Sequence, residues 1–257
     1  MLTLTDILKK ISVLNRDNGK IFTDTSRLDV ISESLEHSRY INVRPNERCL
    51  FHLYSTKPLE TVNENVVVIS SHIDCEEDIT KCFTEILPDG LMNGTFDNSI
   101  TNAAVLYTML QNKLPENVLV AFTGDEERDS RGAAQLIRFL RRSGVAVKCV
   151  IVLDVTDMGW DEGADFTIEN NFWSGSIGRK VTSAAENCGF KWRFVPSDPD
   201  DIPAYIGNRY VIPFEAEEYE FWEYDENDVQ CFSLCLPVRG EMHSNRGVYA
   251  RLKSFER

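Results

Sequence analysis

Short apolar runs alternate along the chain with segments in which apolar residues recur every three or four positions. The first pattern predicts strands and the second predicts amphipathic helices. Predicted strands cover 50–54, 66–70, 118–122, 147–153, 192–195 and 231–236, and predicted helices cover 3–14, 26–37, 98–111, 130–142 and 175–186. Strands and helices that alternate at intervals near 30 residues are typical of βαβ units. We therefore expect an α/β fold with a mainly parallel central sheet.

A second type of strand signal surrounds Asp89-Gly90, a dipeptide that favours a tight hairpin turn. Strand-like residues lie on both sides of it, so residues 82–96 are expected to form a small excursion off the main sheet. We find no internal repeat and no Pro/Gly/Ser linker that would divide the chain. The prediction is one domain over 1–257, with the N-terminal helices of 1–45 packed on it.

Composition narrows the classes of partner. The 257 residues carry 41 acidic and 27 basic side chains, a net charge of −14, which argues against nucleic acid or an anionic membrane as a partner. The N-terminal segment has charges inside its apolar pattern and reads as an amphipathic helix, not as a signal peptide. Seven scattered cysteines, an odd number, fit reduced thiols in the cytoplasm. A cytoplasmic location is therefore expected.

Acidic residues or a histidine follow four of the apolar runs. They are His72, the pair Glu126 and Glu127, Asp154, and His243. In an open α/β sheet, ligands bind beyond the carboxyl ends of the strands. These side chains are therefore expected to converge although they are far apart in sequence.

Each group has an ordinary explanation as well. His72 is followed two positions later by Asp74, which an extended backbone puts on the same side, where it can fix the imidazole tautomer; a structural histidine fits equally well. Asp97 precedes a predicted helix, where it can be a simple N-cap or can bridge two cations.

The run Asp125-Glu126-Glu127 is harder to explain without a ligand. Three consecutive acids after a buried strand repel one another unless cations or a solvent-filled cleft compensate. A solvated turn is the alternative. Adjacent carboxylates can also divide labour, one binding metal and the other moving protons. Mixed histidine and carboxylate ligands suit zinc, with cobalt or manganese as substitutes, better than magnesium or calcium.

The order of these residues resembles the co-catalytic dizinc exopeptidases, which include leucyl and glutamyl aminopeptidases, tripeptidases and deacylases. The segment FTGDEERDSRGA at 122–133 is similar to their FxxxEExGxxGA signature. The segment LPVRGEMHS at 236–244 is similar to the Pro-x-Arg-x-x-His-Ser ending of the glutamyl aminopeptidases. The resemblance spans about 65 to 247 and implies a single catalytic domain, a three-layer α/β sandwich around a mainly parallel, mixed sheet.

The resemblance also implies a ligand set for two zinc ions. His72 and Asp154 would hold one ion, Glu127 and His243 the other, and Asp97 would bridge them.

The remaining roles concern catalysis. By the same resemblance, Glu126 is the general base and Asp74 orients His72. The peptide bond between Asp97 and Asn98 is expected to be cis.

Three positions depart from the family pattern. Thr101 and Asp129 stand where the family has glycine, and Asn98 stands where it has a second aspartate. No separate lid or dimerisation domain fits between the motifs, so the oligomers built through such insertions are not implied. A homo-oligomer stays open.

The favoured function is a cytoplasmic dizinc aminopeptidase that removes N-terminal residues from short peptides. Three alternatives remain: a deacylase of N-acyl amino acids, a glutaminyl-cyclase-like acyltransferase that uses one zinc, and a binding module without catalysis. The acidic, aromatic-rich segment 197–228 is expected near the site, either as a pocket wall that binds an α-ammonium group or as a surface helix.

Overall fold

The computed structural model describes residues 2–14, 26–62, 65–169, 176–195 and 229–256. The strands are β1 (Ile41–Asn42), β2 (Phe51–Ser55), β3 (Val66–His72), β4 (Thr84–Ile86), β5 (Leu91–Gly94), β6 (Val118–Thr123), β7 (Val147–Thr156), β8 (Phe166–Glu169), β9 (Trp192–Val195), β10 (Gln230–Gly240) and β11 (Val248–Arg251). The helices are α1 (Leu4–Ile11), α2 (Ser26–Leu35), α3 (Ser99–Leu110), α4 (Arg131–Arg142), α5 (Ile177–Asn187) and α6 (Leu252–Glu256). In these ranges, no helix has the length and apolar character needed to cross a membrane.

The central strands run in one direction. The sheet order is β1-β2-β6-β3-β7-β10-β11-β5-β4, and β8 pairs with both β10 and β9. β3 is parallel to both β6 and β7, and β10 is parallel to β7. β2 pairs antiparallel with β6, and both β8 and β11 pair antiparallel with β10, whereas β8 and β9 are parallel. This mixed sheet with a parallel centre confirms the predicted fold class, and it brings the carboxyl ends of β6, β3, β7 and β10 to one edge.

Helices cover both faces of the sheet because side chains alternate along its strands. On β6, Val120 belongs to the core shared with α1, α2 and α3, whereas its neighbour Ala121 belongs to the core shared with α4. α1 begins with a capping box between Thr3 and Asp6, and it buries Ile7, Leu8 and Ile11 in the first core. The result is the expected three-layer sandwich.

β10 connects the main sheet to the hairpin of β4 and β5. Its first part pairs with β7 and its last residues pair with β11, which in turn pairs with β5. The hairpin around Asp89-Gly90 therefore forms as predicted, but it continues the sheet through β11 and is not a detached excursion.

Four short strands and helices were not predicted: β1, β8, β11 and α6. Each has five residues or fewer, at or below the length at which a periodic pattern can be recognised. The segment 197–228 lies outside the described residues. The assignment of 1–257 to one catalytic domain stays a prediction.

Candidate metal centre

The edge formed by the carboxyl ends of the parallel strands carries the candidate metal ligands and Glu126. β3 ends at His72, β7 carries Asp154 near its end, and His243 follows β10. Glu126 and Glu127 lie in the loop after β6, and Asp97 lies between β5 and α3. The parallel arrangement thus brings together residues that the sequence separates widely.

Asp97 lies between the two histidines. Its Oδ1 is 2.9 Å from Nε2 of His72 and its Oδ2 is 3.1 Å from Nε2 of His243. The N-cap of α3 is Asn98. The carboxylate of Asp97 therefore faces the two imidazoles, and the simple N-cap explanation is wrong.

The other carboxylates divide between the two histidines. Oδ1 of Asp154 is 3.7 Å from Nε2 of His72, and Oε2 of Glu126 is 3.8 Å from the same nitrogen. Oε2 of Glu127 is 3.4 Å from Nε2 of His243. Each carboxylate oxygen of Asp97 consequently lies near one histidine, and each histidine lies near at least one further carboxylate.

Asp74 contacts both His72 and the backbone of Glu127. Its Oδ1 lies 3.4 Å from Nδ1 of His72, on the far side of the imidazole from Asp97. Its Oδ2 accepts a hydrogen bond from the backbone N–H of Glu127 at 3.1 Å. The backbone N–H of Glu76 donates to Oε1 of Glu127 at 3.1 Å. The side chain of Asp74 and the backbone of Glu76 thereby fix the position of Glu127 relative to His72.

Of the three consecutive acids, Asp125 does not join the cluster. Its buried carboxylate accepts two hydrogen bonds from the guanidinium of Arg131, and its carbonyl accepts from the N–H groups of Asp129 and Ser130. Its φ of 67° is in the left-handed region. Asp125 therefore closes a tight turn that leaves Glu126 directed toward His72.

A buried polar network that the sequence did not indicate lies behind the site. Nδ2 of Asn98 donates to the carbonyl of Leu153 at 2.7 Å, and the hydroxyl of Thr101 donates to Oδ1 of Asn98. Ser71 contacts the Thr101 hydroxyl at 2.8 Å. Asn102 donates to Ser71 and, at 2.7 Å, to the carbonyl of His72. The network connects the backbone beside Asp154 to the backbone of His72.

Two of the departures from the family pattern are thus partners of each other. Thr101 and Asn98 are three residues apart, the spacing at which side chains near the start of a helix meet. This spacing of three residues is the feature of the sequence from which their pairing could have been predicted. The peptide bond between Asp97 and Asn98 is cis, as expected.

A second unpredicted residue, Asn245, holds the loop that carries His243. Its Oδ1 accepts from the backbone N–H of Thr80 at 2.7 Å and of Lys81 at 3.2 Å, and its Nδ2 donates to the carbonyl of Asp78 at 2.9 Å. These bonds attach the segment after β10 to the segment after Asp74.

The charges of the cluster compete strongly. Burial raises the pKa of Glu126 well above its ordinary value and that of Glu127 to about 8, and neighbouring carboxylates add to both effects. Burial also raises the pKa of Asp154. A hydrogen bond with Asp97 raises the pKa of His243 to about 9. These carboxylates are therefore ionised together only when positive charge beyond that of the two imidazoles is present, and otherwise part of the cluster takes up protons.

The contacts fit metal ligands better than direct hydrogen bonds. Oδ1 of Asp97 is buried and lies close to Nε2 of His72, yet this oxygen has no hydrogen-bond partner in the described part of the chain. Ligand atoms of His72, Asp97 and Glu127 lie within 4.8 Å of one another. Nitrogen and oxygen donors that point at a common space suit zinc. The residues present therefore fit a metal centre.

Comparison with solved structures shows the same fold. PhTET1-12s, titled a dodecamer, matches with a TM-score of 0.68 at 14% identity over 100% of this chain and 96% of that chain. A TET aminopeptidase from a marine sediment archaeon, Thaumarchaeota archaeon, gives 0.71 at 10% identity over 98% and 93%. BSAP, a zinc aminopeptidase from Bacillus subtilis, gives 0.51 at 13% identity over 79% and 46%.

The search of curated proteins found no match. The model of peptidase family M28 matches residues 54–205, which is more than half of the chain. The matched range begins in β2 and includes β3, β6 and β7, three of the strands whose ends carry the cluster. The chain belongs to peptidase family M28.

Proposed function

We propose that this protein is an aminopeptidase with two zinc ions, one held by His72 and Asp154 and the other by Glu127 and His243, with Asp97 bridging them. The observation that carries the proposal is the position of Asp97, whose two oxygens lie 2.9 and 3.1 Å from the two imidazoles. A carboxylate that directs one oxygen toward each of two histidines is suited to bridging a pair of cations.

Zinc is the preferred ion because the donors are imidazole nitrogens and carboxylate oxygens, and cobalt or manganese are substitutes. BSAP, which shares the fold, is titled a zinc aminopeptidase. When bound, the ions lower the pKa of water and polarise the scissile carbonyl.

Glu126 is the general base of the proposal. Its Oε2 lies 3.8 Å from Nε2 of His72, so it borders the space shared by the ligands. In this position it takes a proton from the attacking water and delivers it to the amine that leaves. Asp74 orients His72 from the opposite side of the ring, where its Oδ1 is 3.4 Å from Nδ1.

An adjoining cleft is the candidate site for the substrate side chain. It opens beside Asp97, Glu127 and His243, and its apolar lining consists of Ile79, Phe96, Met242 and Val248. The enclosed space of this cleft is close to that of a single water molecule, so only a small terminal side chain fits it while the first peptide bond of the substrate lies between Glu126 and the ligand cluster.

The test is Glu126→Gln, assayed for hydrolysis of aminoacyl p-nitroanilides and short peptides together with zinc content. Removing a general base lowers kcat by about 10²–10⁴-fold. Because Gln has nearly the same size, we expect the zinc content to remain at the wild-type value. The matched control is Glu77→Gln, an exposed residue whose carboxylate pairs with Arg128, and we expect it to leave kcat unchanged.

Retained hydrolysis by Glu126→Gln would remove the general-base role. The same panel separates the alternatives. Wild-type activity confined to N-acyl amino acids would indicate a deacylase, and cyclisation of N-terminal glutamine with one zinc would indicate a cyclase. Zinc binding without turnover of any substrate would favour a binding module.

Assembly and location complete the proposal. PhTET1-12s is titled a dodecamer, and this chain covers 96% of it, which supports a homo-oligomer; a monomer in light scattering would contradict this. The cysteines in the described residues form no disulfide with one another, which supports a cytoplasmic location. Cell fractionation tests it, and recovery outside the cytoplasmic fraction would contradict it.

A further inference from the structure

Arg27 is a fully buried arginine in the first turn of α2, with 0% of its surface exposed. Arginine is among the residues least often buried completely, because its charge must be removed from water. Its position in sequence is remote from the candidate ligands and precedes the range matched by the family model. A buried charge at this place therefore calls for a structural explanation.

The guanidinium makes polar contacts with four different segments, one of them through Nη2 and Sγ of Cys82 at 3.9 Å. Its Nη1 donates to the carbonyl of Ile73 at 3.1 Å, and its Nη2 lies 3.5 Å from the carbonyl of Asp97. Its Nε donates to the carbonyl of Val13, just after α1, at 3.2 Å. One side chain thus connects the N-terminal helices to two segments of the metal centre.

Both contacts in the centre lie immediately beside candidate ligands. Ile73 stands between His72 and Asp74 in sequence, and Asp97 is the residue placed between the two histidines. A planar guanidinium holds several acceptors in a fixed geometry, which the single nitrogen of a lysine does not do. The separation of these two backbone carbonyls is consequently set by one rigid group.

We propose that Arg27 is a positioning residue of the metal centre, and that it fixes the distance between the segment carrying His72 and the segment carrying Asp97. This inference rests on the proposed function, since it assigns a purpose to the spacing of those ligands. Arg27 acts through the backbone and does not touch the reacting atoms. Its effect is on the geometry into which the ions bind.

A purely structural role makes a different prediction. α2 is also held by Ile31 and Leu28, which are buried in the core that α2 shares with α1 and α3. If Arg27 only anchors the helix, then Ile31→Ala should reduce zinc affinity and kcat as much as an Arg27 substitution that causes the same loss of stability. The two roles are therefore separable by comparing variants on the same helix.

The experiment compares Arg27→Gln and Arg27→Lys with Ile31→Ala. Zinc affinity is measured by competition with a chelator, kcat and KM with an aminoacyl p-nitroanilide, and Tm by circular dichroism. Groups that orient metal ligands typically contribute about 10–100-fold in metal affinity or activity, and we expect Arg27→Gln to lose zinc affinity by this factor. We expect kcat to fall while KM changes little, because the substrate cleft is intact.

Arg27→Lys keeps the positive charge but loses the planar set of N–H donors, so we expect it to recover only part of the zinc affinity. Ile31→Ala is expected to lower Tm while zinc affinity and kcat stay at the wild-type values. Equal loss of zinc affinity in Ile31→Ala, at matched Tm, would overturn the proposal. So would wild-type affinity and kcat in both Arg27 variants.

A measurement on the wild-type protein covers the case in which the variants fail to fold. If α2 and the metal centre are coupled, zinc must slow hydrogen exchange in α2, since coupling between sites is reciprocal. Unchanged exchange on zinc addition at the amides of Val30 and Ile31, the first that can bond within the helix, would overturn the proposal. Absence of zinc binding by the wild type would instead refute the proposed function, and the role of Arg27 with it.

Discussion

Gly132, the second residue of α4, offers a sharp test of how the general base is positioned. A Cβ added at this position would lie 2.5 Å from the carbonyl oxygen of Gly124 and 2.7 Å from its nitrogen, and it would also collide with the carbonyl of Leu50. Gly124 directly precedes the turn of Asp125 that leads to Glu126. All three obstacles are backbone atoms, so no side chain can rotate away.

The size of the effect follows from these distances. Real Cβ atoms essentially never approach within 3.0 Å, so Gly132→Ala must displace Gly124 or α4 by about 0.5 Å or more. Overpacking of this kind costs about 1–3 kcal/mol of stability. A catalytic group misplaced by about 1 Å costs about 10²-fold in rate, so we expect kcat/KM to fall about 10–100-fold.

The control is Gly144→Ala, just beyond the other end of α4. Gly144 has a φ of 69° and no atom within 4 Å of an added Cβ, so the substitution costs about 1–2 kcal/mol through the left-handed backbone alone. We expect it to lower stability in urea comparably while kcat/KM stays at the wild-type value. Wild-type kcat/KM in Gly132→Ala, or an equal loss in Gly144→Ala, would refute the reasoning.

Three further predictions concern the surroundings of the site. Asp97→Ala should reduce the occupancy of both metal ions in mass spectrometry, and a full metal load would exclude bridging. Thr101→Val removes the hydroxyl that donates to Asn98, so unfolding in urea should show a loss of about 1–3 kcal/mol; unchanged stability would contradict the network. A hydrogen bond with Cys75 lowers the pKa of Cys82 to about 6. Alkylation of Cys82 should therefore reach its plateau rate near neutral pH, and a rate still rising tenfold per unit above pH 8 would contradict that value.

The parallel strands and their ligand-bearing ends were predictable because burial and chemistry lie in continuous stretches of sequence. β3 and β7 are apolar runs that end in, or close to, His72 and Asp154, so one pattern indicates both the strand and the location of its polar residue. Because these strands are parallel neighbours in one sheet, their carboxyl ends lie at the same edge. This is why the convergence could be anticipated without coordinates.

The remaining features depend on tertiary contacts that no local pattern encodes. β8 exists through its pairing with β10, and β11 through its pairing with both β10 and β5. Arg27 looks like an ordinary polar residue of an amphipathic helix until the packing of α2 buries it. Asn245 is recognised only when the two loops that it joins are seen side by side.

The zinc-to-protein ratio of the purified wild-type protein, measured by mass spectrometry after equilibration with zinc and removal of the excess, tests the central claim most directly. Asp97 faces both histidines, and each histidine has its own further carboxylate, so the account predicts two zinc ions per chain. One ion per chain would contradict the bridged pair, and none would contradict a zinc site at this edge of the sheet.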